Sequence, residues 1–167
     1  MSDWLLEKYL SIHPKFNSNE LTIWVLHADK TPPHIGISVE DAFFSLKING
    51  KDEALEVQSL VHIIHKKQIP TLAITLNMPM PLDQVKSIFQ NFGTKIGTNE
   101  TCLSPIIKLL TPELEDLIVI ELLTELDKNE QIKSIYGYHL PNGYTGIPNY
   151  SREIIQQRIH AVQPSER

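Results

Sequence analysis

The sequence predicts an α+β fold, a mainly antiparallel sheet packed by helices, and three observations carry that expectation. Two runs rich in β-branched and aromatic residues, 34 to 39 and 42 to 48, are separated only by Glu40-Asp41, a spacing that an antiparallel hairpin bridges. Thr71-Leu-Ala-Ile-Thr-Leu76 follows Pro70 and is apolar on both parities, the pattern of a strand covered on both faces. Leu82, Val85, Ile88, Phe89 and Phe92 recur at helical spacing before Gly93, a single stripe suited to lying on such a sheet.

Taken in order, residues 3 to 11 form a short helix with Trp4, Leu5 and Tyr9 as apolar contacts, and Asn17-Ser-Asn19 breaks the chain. Leu21-Thr-Ile-Trp-Val-Leu26 is a strand, closed by the loop from Asp29 to Pro33. After the hairpin, Asn49-Gly50 ends the second strand. Val57, Leu60, Val61 and Ile64 then give an amphipathic helix over 53 to 67, whose last turn holds His65, Lys66 and Lys67. Met78-Pro-Met-Pro81 turns the chain into the helix of 81 to 92. A short buried helix is expected at 102 to 110, and Thr111-Pro112-Glu113 caps a longer one reaching about residue 126. Residues 131 to 140 read as a strand, Pro141-Asn-Gly143 as a turn and 144 to 148 as irregular chain. Ser151-Arg-Glu caps a last helix with Ile154, Ile155 and Ile159 on one side, and 163 to 167 form a frayed tail. The expected organisation is one domain over 1 to 167, with a core at about 21 to 110 and an accessory part at about 111 to 162 that needs the same core.

Composition removes several classes of function. The chain of 167 residues has a formal charge of −5 and no clustered basic face beyond Lys66-Lys67, so a nucleic-acid partner is not expected. One cysteine rules out an internal disulfide framework and any CxxC zinc module. The longest apolar run, 117 to 123, is broken by Glu121, which predicts no membrane span. Met-Ser-Asp-Trp-Leu-Leu-Glu-Lys lacks a basic segment leading into an apolar one, which predicts no secretory signal and a cytoplasmic location, with signal-independent export left open.

The chemistry concentrates on Thr98-Asn-Glu-Thr-Cys-Leu-Ser-Pro-Ile-Ile-Lys108. A cysteine acts as a nucleophile through its thiolate, and a helix N-terminus or a neighbouring imidazole lowers its pKa. Cys102 precedes an apolar helix, and His34 opens a strand that can aim a general base. Thr101 as N-cap puts Cys102 in the first turn; Ser104-Pro105 is an equally good start and leaves Cys102 just outside.

The order of these elements resembles the permuted NlpC-type papain-like fold of lecithin-retinol-acyltransferase-like thiol hydrolases. The residues that carry the resemblance are His34-Ile-Gly-Ile37 and Asn99-Glu-Thr-Cys102, and it covers roughly 21 to 110. It implies that Cys102 attacks an amide or ester carbonyl, that His34 takes and returns the proton, and that a polar residue on the next strand, Ser45 by spacing, orients the ring. The backbone N–H groups of Leu103 and Ser104 would hold the oxyanion. The chain departs from the family in having serine where a second histidine is common, and Thr101 where an asparagine precedes the cysteine.

Plainer readings stand beside these. A lone cysteine is often a small core residue, and His34 can be a structural histidine. His62 and His65 lie three apart on one helix, with no third ligand suggested, so neither a metal nor any other cofactor is expected. Tyr136, Tyr138, Tyr144 and Tyr150 either line a groove or pack, and the loop from Pro141 to Pro148 is a candidate cleft rim. Two function classes follow: a cysteine hydrolase or acyl-transfer enzyme, or a catalytically silent domain of the same fold that binds a protein partner or serves in an assembly.

Overall fold

A computed structural model describes residues 4–10, 16–97 and 99–162. Thr98, the tail from 163, the two end residues of the first predicted helix and the expected contact of the Trp4 side chain lie outside it. Six strands form one sheet: β1 (Thr22–Leu26), β2 (His34–Val39), β3 (Ala42–Lys47), β4 (Gly50–Glu56), β5 (Thr71–Leu76) and β6 (Ile132–Tyr138). Their order is β4-β3-β2-β1-β5-β6, and every pairing between them is antiparallel. The helices are α1 (Trp4–Tyr9), α2 (Val57–Lys67), α3 (Leu82–Gln90), α4 (Ser104–Leu110), α5 (Val119–Lys128) and α6 (Arg152–Val162). No helix among the described residues is long and apolar enough to cross a membrane.

Alternation along the strands divides the core into two layers. Ile23, Val25, Ile35, Ile37, Phe44, Leu72 and Ile74 point to one side, where Val85 and Phe89 of α3, Ile106 of α4 and Leu122 and Leu126 of α5 cover them. Trp24, Phe43 and Ala73 point to the other, against Val57, Leu60 and Ile64 of α2. The indole N–H of Trp24 donates to the Ser38 hydroxyl at 2.8 Å, which satisfies two polar groups inside the second layer. Gly36 sits between Trp24 and Phe43, where an added Cβ would lie 2.4 Å from the Phe43 ring. The ring occupies the space a side chain would need.

The β2–β3 hairpin forms without the Asn-Gly pair its geometry favours. Glu40 and Asp41 both take left-handed backbone angles, φ 48° and 64°, the twist a two-residue hairpin requires. Tertiary contacts hold them there: their N–H groups donate to Asn19 and Ser18 carbonyls at 3.2 and 3.0 Å. The Glu40 carboxylate accepts the Leu82 N–H at 2.9 Å, a cap for α3 supplied from another element.

Two elements differ from the sequence expectation. The helix expected from residue 53 begins only at Val57; Gly50–Glu56 is an edge strand. Asn49-Gly50 therefore belongs to a second hairpin, and the charged composition of β4, with Lys51 pairing Glu53 at 2.9 Å, reflects a strand with one open side. Lys51 also donates to the Phe89 carbonyl at 2.9 Å, tying that edge to the end of α3. The long helix expected from Thr111 begins only at Val119. Asp116 adopts φ 55°, which interrupts a helix, and the start is capped instead at Ile118, whose N–H donates to Glu121 at 3.0 Å.

The C-terminal part builds into this sheet rather than beside it. β6 pairs with β5 from Thr71↔Tyr138 to Leu76↔Ile132, and α5 supplies four buried apolar side chains to the first layer.

Candidate functional site

The ladder between β2 and β3 runs from Val39↔Ala42 to Ile37↔Phe44, so the two strands part towards the start of β2. Around that opening lies a cavity of about 440 Å³, a size ordinary for a small-molecule site. His34, Cys102 and Leu103 are in its wall, together with Lys47 from the end of β3, Leu117 and Ile118 before α5, and Tyr150 and Ile159 at α6.

Cys102 lies in the turn before α4, outside the helix, as the Ser104-Pro105 start implied. The turn is locked by reciprocal bonds. Thr101 N–H donates to the Ser104 hydroxyl at 2.8 Å, while the Thr101 hydroxyl accepts from Leu103 N–H at 3.2 Å. Burial pushes the Cys102 thiol pKa up, against the opposing effect of the Ile35 backbone N–H and its own. It packs with Leu46, Ile96 and Ile159, on the α3 side of the sheet.

His34 is the first residue of β2 and shares parity with Gly36 and Ser38, the α2 side. Burial lowers its pKa to about 4; the Asp52 charge opposes this, and Lys47 and His27 add to it. Its Nε2 is buried without a partner. No hydrogen bond joins the ring to the thiol, which faces the Ile35 N–H instead. The sheet end thus brings His34 and Cys102 to one cavity wall without a hydrogen bond between them.

The other expected site residues are committed elsewhere. Ser45 does not orient His34: its hydroxyl donates to Asp52 at 2.8 Å across the β3–β4 pair, and it lies outside the cavity wall. The N–H groups assigned to an oxyanion are engaged within their own turn, Leu103 with the Thr101 hydroxyl and Ser104 with the Thr101 carbonyl at 3.1 Å. Asp52 is the polar group that sequence reasoning missed. It accepts from both Ser45 and Lys47, the latter at 3.1 Å, and its charge reaches His34. The available signal was Asn49-Gly50, a hairpin pair that places a further strand after it.

Among the tyrosines, Tyr150 lines the cavity and its hydroxyl accepts the Val119 N–H at 3.2 Å, whereas Tyr136 and Tyr138 pack on Phe16 and Trp24. The cavity rim comes from Lys30, Pro32, Pro33 and Asn49, not from the loop of 141 to 148. His65 meets His139 rather than His62, Nδ1 to Nε2 at 2.9 Å. Among the described residues no group of three His, Cys, Asp or Glu is placed to hold a metal ion.

Comparison with known proteins gave no match to any family model, curated protein or solved structure.

Proposed function

We propose that this chain is a catalytically silent binding domain, which takes a small ligand into the cavity at the open end of β2, with Cys102 and His34 as uncharged parts of its wall. The observation that carries this reading is that the pair makes no hydrogen bond: the thiol is held against the Ile35 N–H, and the His34 Nε2 is buried without a partner. The electrostatics agree. A ring with a pKa near 4 is a weak base at neutral pH, and a thiol raised by burial keeps its proton. A free cysteine also fits a reducing compartment, so the proposal extends to the cytoplasm.

A second reading is favoured by one specific fact, that both side chains reach the same cavity. In it the domain is a papain-like thiol hydrolase or acyl-transfer enzyme of the permuted NlpC type, acting on an amide or ester, with Asp52 rather than Ser45 supporting His34. Alkylation of the folded protein with iodoacetamide across pH 5 to 10 decides between them. The binding reading expects slow labelling of Cys102 that rises only in the alkaline range and is unchanged in His34→Ala. Rapid labelling near pH 7 that His34→Ala abolishes would establish the enzyme instead.

A further inference from the structure

The cavity wall has a charge composition opposite to that of the chain. Lys30, Lys47 and Arg158 line it, and no Asp or Glu does, although the sequence holds 20 acidic and 15 basic residues. A random sample of this surface would include more carboxylates than cations. Lys47 is partly committed to Asp52, at 3.1 Å, whereas Lys30 and Arg158 form no ion pair among the described residues. Two cations therefore stand at the cavity with their charge available. Six isoleucines make up much of the rest of the lining: Ile35, Ile48, Ile96, Ile118, Ile155 and Ile159. Apolar walls with a few placed polar groups describe a site in which burial supplies the affinity and the charges fix orientation.

We propose that the ligand is an amphipathic monoanion, an alkyl carboxylate whose apolar body lies along the isoleucine wall and whose head is held by Lys30 and Arg158. Arg158 suits this task because its planar guanidinium meets a carboxylate through two parallel N–H groups, and Lys30 adds a mobile point charge from the loop before β2. A cationic ligand meets two unpaired like charges and no carboxylate in the wall. A neutral one leaves two cations at the mouth without a partner. The inference rests on the binding reading above and goes further, to the chemical class of what is bound.

The test is calorimetric titration of the full chain with sodium octanoate, octan-1-ol and octylammonium chloride. Octanoate is expected to bind at least tenfold more tightly than either of the others, and to weaken when salt is raised from 0.05 to 0.5 M, because exposed cations are screened. The double variant Lys30→Gln, Arg158→Gln is expected to lose about tenfold in octanoate affinity and nothing for octanol; both side chains are exposed, so the fold is unaffected. Equal affinity for all three ligands, or no saturable binding of octanoate at millimolar concentration, overturns the assignment. Failure of the underlying reading shows separately, as rapid His34-dependent alkylation of Cys102.

Discussion

The two ends of β2 are built on opposite terms. At the hairpin end, Glu40 and Asp41 hold an unfavourable backbone because neighbours accept their N–H groups, and the side chains of Val39, Ala42 and Phe44 are buried. At the other end the strands part, a histidine nitrogen is buried without a partner, and cations stand on an apolar cavity. The comparison teaches where this molecule spends its packing. The hairpin end is closed by backbone contacts that favour one conformation and leaves only the Asp41 Oδ1 unmet, whereas the cavity end leaves open space lined by apolar and cationic side chains, which is the condition for taking a ligand.

The largest test of that contrast is truncation of an apolar side chain on each side of it. Phe89 is fully buried and its ring lies 5.4 Å from that of Phe44, so Phe89→Ala should cost about 4 kcal/mol in urea unfolding. Ile155 borders the cavity and is only partly buried, so Ile155→Ala should cost no more than about 1 kcal/mol, because part of its surface faces open space already. Equal losses would mean that the cavity end is packed as firmly as the other.

The next effect belongs to the cavity end alone. The His34 pKa is lowered in the folded chain to about 4, against about 6.5 unfolded, so the unfolded chain binds more protons between those values. Stability from a neutral His34 is complete above pH 6.5 and is lost as pH falls through 4, a total of about 3 kcal/mol. The difference in unfolding free energy between wild type and His34→Asn, measured at pH 7, 5.5 and 4, should fall by that amount. A difference that stays constant with pH would show that His34 is solvated.

The smallest effect sharpens the hairpin side. Asp41 combines a left-handed backbone angle with a buried, unpartnered Oδ1. Asp41→Gly relieves both and should raise stability by about 1 kcal/mol, seen as a higher urea midpoint with unchanged slope. Loss of stability instead would mean that the Asp41 side chain has a structural task.

What the sequence made legible follows the same division. β2 alternates with Ile35, Ile37 and Val39 on one parity, β5 is apolar on both parities, and their expected and observed limits coincide at His34–Val39 and Thr71–Leu76. β4 was illegible because an edge strand keeps one side in water; Lys51, Asp52 and Glu53 follow no period that separates strand from helix. That error hid Asp52, since a residue left between a strand end and a helix is not compared with the strand opposite it. The start of α5 was misread because Pro112 and the acidic residues after it satisfy local rules for a helix start, while Asp116 breaks the helix through its backbone angle, which composition does not reveal. His34 and Cys102 were found because each stands out by residue type at the end of an element. That they share one cavity wall without bonding to each other depends on how the turn before α4 meets the start of β2, a long-range fact that spacing along the chain does not encode.

The two margins of the sheet also decide how this protein meets copies of itself. A bare margin offers N–H and C=O groups to any passing strand, the first step of fibre growth. Here one margin is β4, charged and bent by the positive φ of Ala54 at 55°, and the other is β6, where Leu10 already forms a parallel bridge to Ile135. Neither offers a long, flat, uncharged template for a stacking neighbour. Crowding many copies together should therefore leave the sheets separate.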